Sequence, residues 1–325
     1  MKINIQLQVF PFFLFGILPL TIGCNLTKKT SQFRLVLKDD YCVSNINTGF
    51  TEIMPSFNNP DSLIKNDSLL SLKFSKNEIL VANATGMIPV IKKIIMNQNV
   101  STAGPGVNGL NLRMQLQGQV QRVESVFNEI ISELNCETER TKRAAVYLDG
   151  YEKKRTNNLT IAAILAGSAT TVTPIIVQSG RTQNIIVIGE ALISTYLGVK
   201  LLQSGHNRVD FIYERNLLSD IWTEPQVPGQ YPKFLWQMMI RKEFNIGDDN
   251  LSLMENIKKR WSSVELNMAD KHTLYLLFKK GGSYDEDTLQ TRAALLGQLG
   301  ASLSLLNSYS QSCLASIQKK LIAPN

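Results

Sequence analysis

The sequence predicts a mainly α fold: an elongated helical bundle with a central apolar helical hairpin and a small irregular N-terminal region with room for two short strands. Three patterns predict it. Leu116, Val120, Val123, Phe127, Ile130 and Leu134 recur at alternating four- and three-residue steps, the heptad-like seam of a coiled-coil type of helix that starts near Leu110 and continues towards Arg155. A seam of this kind needs partners, and two later stretches carry similar stripes: Met254, Ile257, Trp261, Val264 and Met268 on one, and Leu295, Leu299, Ser302, Leu306, Tyr309 and Cys313 on the other. Between them lie two apolar segments, Leu159 to Val177 without a charged residue and Ile185 to Leu202, joined by the short polar turn from Ser179 to Asn184.

Taken in order, the chain opens with Lys2 and an apolar run from Val9 to Ile22 that stops at Gly23 and Cys24, the layout of a secretory signal over residues 1–23. Leu20-Thr21-Ile22-Gly23-Cys24 resembles the lipobox of bacterial lipoproteins, with Gly23 and Cys24 matching and Thr21 standing where Leu is usual. The resemblance implies that Cys24 is acylated and becomes the mature N-terminus, that residues 24–32 form a tether, and that the partner of that end is a membrane. It covers only this segment and carries no family for the rest of the chain.

Residues 33–106 form the small N-terminal region. Phe33, Leu35 and Leu37 alternate with Arg34, Val36 and Lys38, and Leu70, Leu72 and Phe74 alternate with Ser71 and Lys73, which reads as two short strands around a turn-rich stretch with Pro55 and Pro60. Ser75 and Glu78 have capping-box spacing ahead of Ile79, Leu80 and Val81, so a helix starts there and runs towards Asn97, with Gly86 and Pro89 as its breaking points. The bundle occupies residues 107–325, including the hairpin 159–202. Its last helix is expected to start at a capping box of Ser283 and Glu286, with Asp285 and Asp287 placed favourably for the helix dipole.

Each arm of the hairpin is about long enough to cross a bilayer, and Gly167, Gly189 and Gly198 would let the two backbones approach closely. Glu190, Lys200 and Pro174 oppose insertion, and the basic residues Lys153, Lys154, Arg155 and Arg208 flank the hairpin on the exported side, against the positive-inside tendency. Burial at the centre of the bundle explains the same residues. In architecture, long helices with an apolar hairpin are similar to helical pore-forming toxins, which makes membrane insertion the second functional reading.

Four cysteines at scattered positions, with no CxxC pair, fit an oxidising compartment and no zinc site. With Cys24 acylated, one disulfide at most can form; the expected bridge is Cys136 to Cys313, joining two long helices, with Cys42 to Cys136 as the second pairing. Removal of Met1 to Gly23 takes away only Lys2, so a formal charge of +7 becomes +6. That surplus is mild, no basic run is interleaved with aromatics, and nucleic acid is excluded as a partner.

Catalytic patterns fail on context. Gly104, Gly106 and Gly109 fit GxGxxG, but no strand precedes them and no βαβ unit follows, so they read as a loop that starts the long helix. His206 and His272 form no cluster, there is no HExxH or GxSxG, and the acid groups Asp39–Asp40, Asp248–Asp249 and Asp285–Asp287 sit at turns and helix starts, the middle pair ahead of the helix carrying Trp261. No metal and no cofactor is expected. The candidate recognition surface is the aromatic, proline-rich loop holding Trp222, Tyr231 and Trp236. The sequence thus reads as a non-enzymatic cell-envelope lipoprotein, a structural or interaction module with a membrane and an envelope protein as its classes of partner.

Overall fold

A computed structural model describes residues 35–37, 42, 53–100, 106–176, 208–213, 215–245 and 250–322, with backbone alone at 35–37, 99–100, 155, 159 and 161–176. The fold is mainly α. Ten helices and a three-stranded sheet stand among the described residues: β1 (Leu35–Leu37), α1 (Pro60–Asn66), α2 (Ser68–Lys73), α3 (Lys76–Ala84), α4 (Ile88–Val100), α5 (Val107–Ile176), β2 (Val209–Ile212), α6 (Leu217–Thr223), α7 (Lys233–Ile240), α8 (Leu253–Arg260), α9 (Lys271–Phe278), β3 (Gly281–Tyr284) and α10 (Glu286–Ile322). Cys24, Gly189, Gly198, His206, Asp248 and Asp249 lie outside the described residues, as does the second arm of the hairpin.

Local chemistry starts and stops these elements. Asn59 caps α1 ahead of Pro60, and Asp67 caps α2 by accepting from the Leu70 amide at 3.2 Å. The capping box of Ser75 and Glu78 forms as its spacing predicts, the Ser75 amide donating to Glu78 Oε2 at 2.6 Å and the Glu78 amide to Ser75 Oγ at 3.3 Å. That helix does not run unbroken to Asn97. Gly86 takes a φ of +74°, and a Cβ on it would stand 2.6 Å from the Met54 carbonyl oxygen, so the chain breaks there and restarts as α4 with Pro89 in the first turn, where no amide is needed.

Four expectations are corrected here. Leu70 to Lys73 are helical: the Asp67 cap and the Phe74 amide donating to the Leu70 carbonyl close a helical turn, and the alternation of apolar residues yields to it. Ser283 is a residue of β3, and Asp285 caps α10, accepting from the Thr288 amide at 3.0 Å and hydroxyl at 2.6 Å. The stripe through Trp261 ends at that residue, because α8 passes into a π turn at Trp261–Glu265 and leaves Val264 and Met268 exposed. The cap of α8 is a capping box, Ser252 with Glu255, in place of the expected Asp248 and Asp249, which lie outside the described residues.

The centre of the bundle is the antiparallel pair α5 and α10. Gln318 bonds Gln117 at 2.6 Å, Asn307 meets Asn128 at 3.4 Å, Gly300 lies against Leu134, and Gly297 against Thr138. Every seam residue from Leu116 to Leu134 is buried in this contact, together with Leu295, Leu299, Ser302 and Leu306, while Tyr309 and Cys313 are half-buried. The α5 seam continues at the same steps through Glu137, Thr141, Ala144 and Leu148, all buried. Helices α3 and α4 cover one side of the pair, and one core runs from Leu63 to Leu321. The sheet, order β1-β2-β3, has β1 parallel to β2 (Leu35 opposite Val209) and β3 antiparallel to it (Gly282 opposite Phe211).

Helix α5 does not end near Arg155. It continues to Ile176 through the first apolar segment, Gly167 included, as one helix. No helix among the described residues is long and apolar enough to cross a membrane.

The disulfide joins Cys42 to Cys136, with a Cα separation of 5.5 Å, and Cys313 is free; the expected Cys136–Cys313 bridge is not made. Register explains this. Cys136 stands level with Gly300, and Cys313 lies thirteen residues further along α10, roughly 20 Å away, whereas a disulfide needs Cα atoms within about 7 Å.

A clasp between α3 and α10 holds the far end of the pair. Glu78 accepts from Lys320 Nζ at 2.7 Å and from Ser316 Oγ at 2.5 Å. Burial pushes the Glu78 carboxyl up, but the Lys320, Ser316 and Ser75 hydrogen bonds outweigh it and hold the pKa at about 2. A depressed acid contributes stability above its unfolded pKa of 4.5, and that contribution is lost as pH falls through about 2. Glu78→Gln is therefore expected to cost about 2 kcal/mol at neutral pH. In denaturant titrations the difference from wild type should vanish towards pH 2; an equal difference at both pH values would remove the ion pair as its cause.

Candidate functional site

The densest collection of chemical groups lies where α5, α10 and β2 meet. Heptad steps carry Glu137 and Thr141 into the α5 seam, with Glu133 and Arg140 one turn to either side, and the same spacing on α10 puts Arg292 in its seam. All five are buried. β2 and the chain after it deliver Phe211, Tyr213, Arg215, Asn216 and Asp220 to the same place.

The arginines lie on aromatic rings. The Arg140 guanidinium is 4.4 Å from the Phe211 ring centre and 3.5 Å from the Glu137 carboxylate. Arg292, about 1% exposed, stacks 3.9 Å from the Tyr213 ring centre and donates to Asn216 Oδ1 at 3.3 Å and to the Leu277 carbonyl at 3.2 Å. Asn216 Nδ2 donates to the Leu277 and Lys279 carbonyls, both at 2.9 Å, and so fixes the end of α9. Tyr213 and Tyr284 are 2.8 Å apart, and both hydroxyls reach the Leu276 carbonyl. Burial pushes the Tyr284 phenol far above its usual value, so it stays neutral.

A second group links α5 to the loop after α6. Arg215 donates to Glu133 Oε2 at 2.8 Å and to the Gln230 carbonyl. Asp220 Oδ2 accepts from the Gly229 and Gln230 amides, each at 2.7 Å, and Tyr231 donates to the Leu217 carbonyl at 2.5 Å. Burial raises the Glu133 pKa to about 7; Arg215 pulls it down incompletely, and Glu137 and Glu129 push it up.

Chemically, this arrangement joins elements. Apart from the Arg140–Glu137 pair within α5, each bond described runs between two elements or from a side chain to a loop backbone, and the carboxylates meet arginine or amides. Glu133 is the group that can change protonation near neutrality. Because its folded pKa lies above the ordinary 4.5, its stabilising contribution is complete below pH 4.5 and is lost as pH rises through about 7. Wild type should therefore lose roughly 2 kcal/mol of stability between pH 5 and pH 8 that Glu133→Gln retains. Thermal unfolding of the two proteins at both pH values checks this, and parallel pH profiles would count against it.

The rings expected on a recognition surface are turned inward instead. Tyr231 and Trp236 are buried and stacked, with ring centres 6.1 Å apart, and Phe234 meets Phe127 of α5 edge-on at 5.7 Å. Trp222 is half-buried, lies flat on Phe278 at 4.4 Å, and carries Lys258 5.6 Å from its ring centre. These residues plug the side of the bundle, because their rings have more apolar area than a surface loop could leave in water. His272 is exposed on α9, a helix of its own whose cap, Asp270, accepts from the Thr273 amide at 2.7 Å. Cys313 is half-buried, and burial raises its thiol pKa, so it stays protonated. Among the described residues no cluster of three or more His, Cys, Asp or Glu could hold a metal ion.

Glu133, Arg140, Arg215, Asp220 and Arg292 were not singled out by the sequence. A signal existed: polar residues standing at successive seam positions after Leu134. No family model matches this chain, and no curated protein or solved structure matches it.

Proposed function

We propose that this chain is a non-enzymatic module of the cell envelope, exported by the signal at residues 1–23, anchored by lipid at Cys24, and acting as a structural or interaction element. The observation that carries the reading is the Cys42–Cys136 disulfide. A bridge closing so long a loop belongs in an oxidising compartment, where an exported protein resides, and would be reduced in most cytosols. The buried charges support the non-enzymatic part, because their bonds are spent on joining α5, α6, α9 and α10. Helix α5 supports the structural part: α10 begins level with Asp149, and α5 continues to Ile176, roughly 40 Å further. An envelope protein is the partner class that such an extension would meet.

Acyl-chain labelling with membrane fractionation tests the reading on the native chain and on Cys24→Ser. Label and membrane association lost together in the variant support it; a membrane-bound native chain that never takes up label overturns the anchor. One observation favours a second reading, insertion of the 159–202 segment into a bilayer: α5 passes unbroken from the bundle into the first apolar arm. Release of dye from liposomes by the purified chain would bring that reading to the front.

A further inference from the structure

One end of the bundle combines exposed apolar side chains with a one-sided charge. The register of α5 and α10 lets the start of α5 overhang the end of α10, since Arg113 already bonds the Leu321 carbonyl at 3.3 Å. Gln98 of α4 donates to the same carbonyl at 2.5 Å, so three helices converge here. Val107, Leu110 and Met114 fall at three- and four-residue steps along one stripe of α5 and are 77%, 57% and 65% exposed; Ile322, one residue past the buried Leu321, is 63% exposed. A groove of about 280 Å³ opens between Met114, Leu116, Gln117, Leu321 and Ile322.

Along the α4, α5 and α10 segments that meet at this end, the side-chain charge is basic. Between Ile88 and Val123, and again between Thr288 and Ile322, the sequence contains no Asp or Glu. Lys92 and Lys320 are paired with Asp67 and Glu78 on α2 and α3, while Lys93 and Lys319 are exposed. On α4, Lys93 and the exposed Met96 are one turn apart, so charge and apolar surface lie side by side.

We infer that this end of the bundle docks on an anionic lipid bilayer, with Val107, Leu110, Met114 and Ile322 entering the headgroup region and Lys93 and Lys319 facing the lipid phosphates. Lipid fits better than a protein surface because the exposed apolar residues at the helix overhang are accompanied by the exposed Lys93 and Lys319, as in interfacial helices whose binding sums apolar burial and attraction to acidic lipid. For its setting the inference rests on the lipoprotein reading. The free tether runs from Cys24 to Leu35, where β1 is held by β2, 11 residues with a reach of roughly 36 Å, which lets the bundle lie along the bilayer that anchors Cys24.

The test uses the full chain with Cys24→Ser and Cys313→Ser, keeping the disulfide, and an environment-sensitive fluorophore on Met114→Cys or, in parallel, Ile322→Cys. A third protein carries the label on Val146→Cys, exposed on α5 roughly 50 Å from Met114. With phosphatidylglycerol-containing vesicles, labels at 114 and 322 should shift to the blue and brighten, the label at 146 should not, and pure phosphatidylcholine should give no response. Lys93→Gln and Lys319→Gln should each weaken vesicle affinity about fivefold, and added salt should weaken it further. The inference is overturned if folded protein gives no response at 114 and 322, if 146 responds equally, if neutral vesicles suffice, or if only an envelope protein extract elicits the response. Acylation is read separately by mass on the native N-terminal peptide, so loss of the anchor reading leaves a positive docking result intact.

Discussion

Gly281→Ala should cost about 4 kcal/mol and leave the chain partly unfolded at its growth temperature. Gly281 has a φ of +83°, where an L residue is strained, and a Cβ there would stand 2.2 Å from the Phe211 carbonyl oxygen and 3.0 Å from the Tyr213 ring. The contact is with backbone, which cannot rotate away. β3 would have to leave β2, and with it Tyr284, whose hydroxyl shares the Leu276 carbonyl with Tyr213. Loss of that pairing removes the ledge on which Arg292 stacks. Gly118, whose added Cβ would meet nothing within 4 Å, provides the control: Gly118→Ala should leave stability unchanged or raise it by up to about 1 kcal/mol. Equal denaturation midpoints for wild type and Gly281→Ala would contradict the strained turn.

Cys136→Ser should cost about 4 to 5 kcal/mol, and a reductant should lower the stability of wild type to the same level. The bridge spans 94 positions, and the loss of chain entropy it imposes on the unfolded state grows with loop length. A second effect is local. Cys42 follows β1 by five residues, so opening the bridge releases the tie that brings β1 to the edge of β2. Cys313→Ser should change stability by less than about 1 kcal/mol, since that thiol is half-buried and makes no bridge. Peptide mapping without reduction should recover Cys42 linked to Cys136. A large loss in Cys313→Ser with none in Cys136→Ser would reverse the assignment.

Both results depend on register between elements far apart in the chain. The Cys136–Cys313 pairing fails because thiols on two helices bond only if the helices place them level, and level is set by Gly297 and Gly300 fitting against Thr138 and Leu134. Side-chain shape across the interface decides it. The Trp222, Tyr231 and Trp236 loop looks like a surface in the sequence for the same reason. Composition tells that aromatics and prolines are present, but Tyr231 is buried because the Leu217 carbonyl and the Trp236 ring stand beside it.

The buried charges follow a related rule. Glu137 and Thr141 keep the seam spacing beyond Leu134, yet an apolar criterion stops at the first polar residue. Glu137 is tolerated in the interior because Arg140, itself laid on Phe211, stands one turn away, and Thr141 because its hydroxyl donates to the Glu137 carbonyl at 2.7 Å.

By itself the sequence determined the mainly α class, the long helix and its seam from Leu116 to Leu134, the final helix, and the capping box of Ser75 with Glu78. Each depends on side chains within a turn or two of one another, and heptad spacing or a three-residue cap is complete in such a window. Only the tertiary structure decided that Leu70 to Lys73 coil, that Asp285 caps α10, that Cys42 holds Cys136, and that the aromatic loop is a plug. The first two are choices between rival local patterns, a cap three residues away against an alternation or a second cap, while the disulfide and the plug depend on partners far apart in the chain, set by burial and register, which no local window contains.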